Sequence, residues 1–174
     1  PQSISKFIKM FLKDYFPKID KKYQNHFFSN ITFDSSKIKK NFIFFAIKGN
    51  KYDGHNFISN AIKKGAKIIV HEKKFSGLKN KILFIKTKNI RKLLAEVSFR
   101  INHLKPKNLV SVTGTNGKSS VADYFYQILN FNKIKVASIG TLGIKTKNSL
   151  RSLPNTTIDP ITLSKILEDL KKKI

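Results

Sequence analysis

The feature that most restricts the fold is a glycine-rich loop, SVTGTNGKSS at residues 111–120, which lies between two segments of different character. Before the loop, the apolar NLVSV predicts a buried strand. After it, VADYFYQILN predicts a helix and IKVASIG a second strand. Strand, loop, helix and strand in this order form a βαβ unit, which implies a parallel sheet.

A glycine-rich loop at the start of a helix can bind phosphate. Its backbone N–H groups can turn toward the anion, with the positive end of the helix dipole behind them. Gly114 and Gly117 let the chain approach a phosphate without a Cβ in the way. Lys118 can then reach the outer phosphate oxygens, and Ser119 can hold Mg²⁺. The predicted nucleotide-binding residues are Gly114, Thr115, Asn116, Gly117, Lys118, Ser119 and Ser120.

The loop is shorter than the usual phosphate-binding signature. Only Thr115 and Asn116 separate Gly114 from the Gly117-Lys118 pair, whereas the usual spacer is longer. The alternative interpretation is a glycine-rich turn that happens to be followed by Lys-Ser. The strand and helix on either side of the loop favour the phosphate site over this alternative.

The charge of the chain raises a different class of function. Its 35 basic and 10 acidic residues give a formal net charge of +25, which suggests nucleic acid or an anionic surface as a partner. However, only Arg91, Arg100 and Arg151 are arginines, and the lysines are scattered without a dense block. We therefore expect a solvated lysine surface and no nucleic-acid partner, and a basic nucleic-acid-binding module remains the alternative from another class.

Composition also bears on the compartment. No apolar run approaches the roughly 20 residues that a membrane helix needs, so we expect no membrane partner. The chain has no cysteine, which excludes disulfides and suits a reducing cytosol. We therefore expect a cytoplasmic protein. Its histidines, at positions 26, 55, 71 and 103, show no metal-ligand spacing, and none is assigned to chemistry.

Two domains are predicted. In the first half, FIFFAI and ILFIK predict strands, FISNAIKKGAKIIVHE predicts a helix closed by Gly65 and then a buried strand, and NIRKLLAEVSFRINHL predicts an amphipathic helix. The sequence Lys105-Pro106-Lys107 breaks this pattern, so the domains are assigned to residues 1–105 and 106–174. The fold class is α/β: a small N-terminal α/β domain, then the start of a P-loop-type parallel-sheet domain that is incomplete. Asp159-Pro160 predicts the start of a last helix.

The segment TGTNGKS resembles the ATP-binding loop of the Mur ligases and their folylpolyglutamate synthetase relatives, in which the shortened loop is the norm. This resemblance implies a ligase reaction: ATP phosphorylates a substrate carboxylate, an amine attacks the acyl phosphate, and an amide forms. It also implies a catalytic role for Lys118, which would stabilise charge on the transferring phosphoryl group.

Residues 34–70, DSSKIKKNFIFFAIKGNKYDGHNFISNAIKKGAKIIV, are similar to the N-terminal region of the Mur ligases that extend the muropeptide. The resemblance implies that residues 1–105 bind the uridine diphosphate end of a UDP-MurNAc substrate. Ser35 matches a substrate-binding serine, and Asn50 to His55 match a loop that covers the uridine. Ser36 stands where the family usually has arginine, so no role of that arginine is transferred.

Two further segments resemble the branch of the family that forms the tripeptide: SIGTLG at 138–143, and Asn155, Thr156 and Thr157. The resemblance implies that these three residues contact the substrate, UDP-MurNAc-L-Ala-D-Glu, to which diaminopimelate or lysine is added. Ile158 departs from the proline that is common there. From the residues alone, helix capping explains the threonines equally well.

Several alternatives and expectations accompany this assignment. The alternatives within the superfamily are the pentapeptide-forming ligase and folylpolyglutamate synthetase. Since family members have three domains, we expect these 174 residues to include the first domain and the beginning of the second. We therefore expect them to be inactive alone, with exposed apolar surface in the second domain, and the full-length enzyme to be a monomer.

Overall fold

The computed structural model describes residues 9–153 and 158–173, and the chain divides into two compact units, residues 1–101 and 102–174. The helices are α1 (Leu12–Tyr15), α2 (Ile58–Lys63), α3 (Ile90–Ile101), α4 (Lys118–Phe131) and α5 (Pro160–Lys173). The strands are β1 (Met10–Phe11), β2 (Phe27–Phe28), β3 (Asn30–Thr32), β4 (Phe42–Phe45), β5 (Ile68–His71), β6 (Gly77–Lys79), β7 (Ile82–Lys86), β8 (Ser138–Gly140), β9 (Gly143–Thr146) and β10 (Ser149–Arg151). Short 3-10 helices cover Lys21–Tyr23, Ser35–Lys37 and Gly54–Phe57.

The first unit contains a five-stranded sheet in the order β3-β4-β5-β7-β6. The first four of these strands are parallel, and β6 pairs antiparallel with β7 at one edge. The predicted strands FIFFAI, KIIVHE and ILFIK are thereby confirmed as β4, β5 and β7. The predicted helices are confirmed as α2 and α3.

Both faces of this sheet are covered. All four residues of β5 are buried, which is typical of a parallel strand packed between two layers. On one face a cluster joins the sheet to α2, with the buried members Ile38, Phe44, Ala46, Ala61, Ala66, Ile69 and Ile82. Phe45, the neighbour of Phe44, stacks on Phe16 at a ring distance of 6.5 Å. Since successive side chains point to opposite faces, this second contact lies on the other side of the sheet.

The second unit is built from α4, an antiparallel sheet in the order β10-β9-β8, and α5. Helix α5 begins at Pro160, as predicted, and Asp159 caps it: Thr162 donates its backbone N–H to Asp159 Oδ1 at 3.0 Å. A small core forms around Ile144, Ile166 and Leu170.

The fold class, α/β with a parallel sheet, is confirmed by the first unit, but the βαβ unit predicted for the second domain is wrong in both of its strands. Residues 103–113 form no strand, and IKVASIG contributes only β8, which pairs antiparallel with β9. Leu109 and Val110 are 55% and 68% exposed. A parallel strand needs paired neighbours and cover on both faces, and NLVSV has no strand partner in the described part of this unit.

Most apolar residues of α4 are exposed, which agrees with the exposed apolar surface expected in the second domain. Tyr126 is buried, whereas Tyr124 and Phe125 are 65% and 44% exposed. Within residues 9–153 and 158–173, no helix has the length and apolar character needed to cross a membrane.

Candidate nucleotide-binding site

The glycine-rich loop leads directly into α4, as predicted. Residues 114–117 form bends, and Gly117 is the N-cap of the helix, with φ 76° and ψ −3°. Val121 donates its N–H to the Gly117 carbonyl at 3.0 Å, which closes the first helical turn. A Cβ on Gly117 would meet no atom within 4 Å. The backbone conformation, rather than crowding, therefore favours glycine here, because a side chain is strained at this φ.

Lys118 folds back over the loop. Its ammonium donates to the carbonyl of Gly114 at 2.5 Å and to that of Thr115 at 2.9 Å. A cation is thus held beside the start of a 14-residue helix, whose first-turn N–H groups have no partner within the helix. Ammonium, first-turn N–H groups and helix dipole all favour an anion at this position, so the residues present fit the phosphates of a nucleotide.

Helix α4 is fixed to strand β9 by a charged contact that the sequence did not reveal. Lys145 Nζ lies 2.6 Å from Asp123 Oδ1, and the same ammonium stands 4.8 Å from the centre of the Tyr126 ring. The hydrogen bond from Lys145, with a second from Gln127, holds the pKa of Asp123 below its ordinary value. A separation of 22 residues gave no sequence signal for this pair.

Ser35 lies in the first unit, in the 3-10 helix Ser35–Lys37. Asp34 caps this turn: Ser36 donates to Asp34 Oδ1 from its backbone N–H at 2.9 Å and from its hydroxyl at 2.7 Å. The Ser36 hydroxyl is the main cause that lowers the pKa of Asp34. Lys64 reaches the turn from the end of α2 and donates to the Ser35 carbonyl at 3.2 Å. The residue that replaces the family's usual arginine therefore stabilises the turn that carries Ser35.

The loop that contains Asn50 is also fixed at its base. Gly49 donates its N–H to the Tyr52 carbonyl at 2.9 Å, and Lys48 and Asp53 form an antiparallel bridge. Asp53 Oδ1 then caps the next turn, accepting from the His55 backbone N–H at 2.9 Å. Tyr52, at the tip, is 73% exposed. The base of the loop is therefore fixed by backbone and capping hydrogen bonds, whereas Tyr52 at its tip is exposed to solvent.

The structure brings the seven loop residues, 114–120, together, and it places Ser35 in the other unit. Asn155, Thr156 and Thr157 lie outside the described residues. Where the chain is described, no group of three or more His, Cys, Asp or Glu side chains could hold a metal ion. The role of Ser119 toward Mg²⁺ stays a prediction.

Comparison with protein families assigns both units. Residues 28–100 match the family described as "Mur ligase family, catalytic domain", and residues 112–174 match the "Mur ligase middle domain". The chain belongs to the Mur ligase family. The resemblance of the loop and of residues 34–70 to Mur ligases is thereby confirmed.

Two similar curated relatives of this Mur ligase chain are named UDP-N-acetylmuramoyl-L-alanyl-D-glutamate–2,6-diaminopimelate ligase. The protein from Rickettsia prowazekii is 36% identical over 152 residues, or 85% of this chain and 31% of the relative. The protein from Clostridium tetani is 41% identical over 146 residues, or 81% of this chain and 30% of the relative. The chain therefore spans about a third of the length of these Mur ligases.

A solved structure of a ligase with the same name resembles the fold. It aligns with 95% of this Mur ligase chain and 34% of its own, with a TM-score of 0.76 and 23% sequence identity. At this identity the likeness shows only that the fold is shared. This chain has the fold of about a third of that α/β Mur ligase.

Proposed function

We propose that this chain belongs to an ATP-dependent amide ligase of peptidoglycan precursor synthesis, which adds the third amino acid to UDP-MurNAc-L-Ala-D-Glu. The observation that carries the proposal is the short loop, with its left-handed Gly117 and its folded-back Lys118, in a chain 36% and 41% identical to two ligases named for this substrate. We place the enzyme in the cytoplasm, as a monomer when full length.

The two domains take different substrates in this proposal. Residues 1–105 bind the UDP-MurNAc end, and residues 106–174 begin the ATP-binding domain. Ser35 binds the nucleotide sugar, and Asn155, Thr156 and Thr157 contact the substrate farther along its length. The relatives named above are named for diaminopimelate, so diaminopimelate is the proposed incoming amino acid, with lysine as the competing one.

The proposed ATP site consists of the loop residues 114–120. Bound ATP supplies the phosphoryl group that activates the substrate carboxylate as an acyl phosphate. The loop N–H groups would hold the phosphates, and the Lys118 ammonium would exchange its two carbonyl partners for phosphate oxygens and stabilise their charge in the transition state. The Ser119 hydroxyl would be a ligand of Mg²⁺.

The activity test uses the complete translated product of the gene and measures ADP release with UDP-MurNAc-L-Ala-D-Glu plus either diaminopimelate or lysine. Release with diaminopimelate is the expected result. Release only with UDP-MurNAc-tripeptide and D-Ala-D-Ala would instead identify the pentapeptide-forming ligase. RNA or DNA binding that persists near physiological salt and is unaffected by Lys118→Ala would favour the nucleic-acid-binding module.

The loop is tested by Lys118→Ala in the same protein. We expect a loss of at least about 100-fold in the rate of ADP release, because charge stabilisation at the transferring phosphoryl group is removed. Lys107→Ala removes another exposed lysine of the same unit and should leave the rate unchanged. Equal rates for Lys118→Ala and the unmodified enzyme would contradict the assigned role of Lys118.

A further inference from the structure

Two histidines that the proposed reaction does not use meet at the carboxyl end of the parallel sheet. His71 is the last residue of β5, and His55 lies in the 3-10 helix Gly54–Phe57. Their ring centres are 6.4 Å apart and their planes are nearly perpendicular. His71 is 4% exposed and the His55 side chain 9%. Both Nε2 atoms are buried, and neither has a hydrogen-bond partner within the described part of the chain.

The contacts of the two Nδ1 atoms fix the proton on each neutral ring. His55 Nδ1 lies 2.6 Å from Asp53 Oδ1, so it carries the proton that it donates to the carboxylate. His71 Nδ1 accepts the backbone N–H of Lys73 at 3.1 Å, so it carries none. Neutral His71 therefore has its proton on Nε2. An added proton would have to enter at Nδ1, where it would oppose the N–H of Lys73.

The two rings have different surroundings. His55 Nδ1 has the Asp53 carboxylate as its partner at 2.6 Å. A proton added to His71 meets a buried site, a neighbouring imidazole and the Lys73 N–H, and it gains no carboxylate. Burial first, and then the charges of His55 and Lys73, lower the pKa of His71 below its ordinary value.

The groups around His71 offer little compensation: a backbone hydrogen bond with Phe75 raises its pKa, but this is the smallest of the effects. Phe84 on β7 packs edge-on against it at 5.7 Å, and the residue paired with it on β7 is Lys86. Glu72, the next residue on the chain, is used elsewhere, because its Oε1 accepts the Ile90 N–H at the start of α3. The Arg91 guanidinium of α3 donates to the Lys48 carbonyl at 3.0 Å and adds positive charge to the segment above.

Residues 48–57, the segment that carries His55, pack closely against the chain that leaves β4. A Cβ on Gly54 would stand 2.6 Å from the backbone N and O of Ile47, so the segment lies directly against the chain that leaves β4. Gly54 also donates its N–H to the Ile47 carbonyl at 2.9 Å. His55 follows immediately, and its ring contacts that of His71. A positive charge on His71 would therefore act first on this segment.

We propose that His71 and His55 form a pH-sensitive latch: neutral His71 holds segment 48–57 on the carboxyl end of the sheet, and protonation of His71 releases it. The latch goes beyond the ligase reaction and does not depend on it. Only its bearing on substrate binding rests on the proposed function, since the segment contains Asn50 to His55. The test below therefore uses no ligand.

Hydrogen exchange on the whole chain tests the latch. Between about pH 7.5 and about pH 5, exchange of segment 48–57, corrected for its intrinsic pH dependence, should rise at least about tenfold, because the open segment allows His71 to bind a proton that the closed segment disfavours. Exchange of Ile68–Val70 should not change. Equal protection of the segment at both pH values, or a parallel loss in β5, would overturn the proposal.

His71→Asn supplies the matched variant, because an asparagine oxygen can still accept the Lys73 N–H but does not titrate. It should abolish the pH response of the segment, whereas His103→Asn, at an exposed position in the other unit, should keep it. A full response in His71→Asn would overturn the proposal. Should that variant lose its far-UV circular dichroism, NMR of the unmodified chain decides. The His71 Cε1–H and the segment amides should then titrate with one midpoint, and separate midpoints overturn the latch.

Discussion

The two units differ in how well their apolar residues are buried. In the first unit, strands β4 and β5 are buried between helical layers, and the aromatic residues Phe44 and Phe45 are almost inaccessible to solvent. In the second unit, most of the apolar residues of α4 are exposed to solvent, and Phe131 is 86% exposed. The first unit therefore has an extensive core between sheet and helices, whereas the second has a small core around Ile144, Ile166 and Leu170. The glycine-rich loop belongs to the unit with the smaller core.

The largest expected effect is the difference in stability between removing a buried aromatic ring in the first unit and removing an exposed one in the second. Phe44→Ala should lower the free energy of unfolding of the first unit by about 3–5 kcal/mol, because it leaves a cavity in a closely packed core. Phe131→Ala should change the stability of the second unit by less than about 0.5 kcal/mol, because its ring is already in water. Urea unfolding followed by amide exchange in each unit measures both. Similar losses would show that the contrast in burial does not govern stability.

A smaller effect is expected at the N-terminal cap of α5 in the second unit. Asp159 accepts the Thr162 N–H at 3.0 Å and its hydroxyl at 2.6 Å. Asp159→Ala should cost about 1 kcal/mol, seen as faster amide exchange at the start of α5.

Asp169→Ala is the control for the cap. It removes the same charge from an exposed position of the same helix but leaves the cap intact, so it should be neutral. Equal effects of the two variants would mean that total charge, not capping, is responsible.

The accuracy of the sequence predictions follows the same division between the units. Helices α2 to α5, the Asp159 cap and the loop at the start of α4 were predictable, because apolar periodicity, capping residues and glycines are local signals. The hairpin of β8 and β9 and the exposure of NLVSV were not, because strand pairing joins residues that the sequence does not mark as neighbours. Composition and spacing likewise gave no sign of the His55–His71 contact, which depends on the crossover from β4 to β5.

For the candidate site, the sequence indicated which residues lie together but not which side-chain contacts they make. The loop residues 114–120 lie together, as their spacing implied, yet the two carbonyl contacts of Lys118 depend on side-chain geometry that a motif does not specify. Ser35 shows the same limit, since the Asp34–Ser36 hydrogen bonds and the reach of Lys64 appear only once the turn is built.

The smallest expected effect concerns the pair that fixes α4 to β9. Lys145 keeps the pKa of Asp123 below the ordinary 3.8, so the stability from this carboxylate is present above that pH and is lost as pH falls through the folded pKa. Both side chains are about a third exposed, so the contribution is small. Asp123→Asn should lower the thermal midpoint of the second unit slightly at neutral pH. The difference should vanish well below pH 3.8, where the carboxyl is protonated in both states.

The cation–π contact separates this ion pair from packing. Lys145→Met removes both the ion pair and the contact with Tyr126, whereas Asp123→Asn removes the ion pair and leaves the contact between Lys145 and Tyr126 in place. The double variant should therefore resemble Lys145→Met alone, since Asp123 then has no ammonium left to lose. Strictly additive losses would mean that the two charges do not interact in solution. The start of α4, and with it the loop, would then be held by Tyr126 and the hairpin alone.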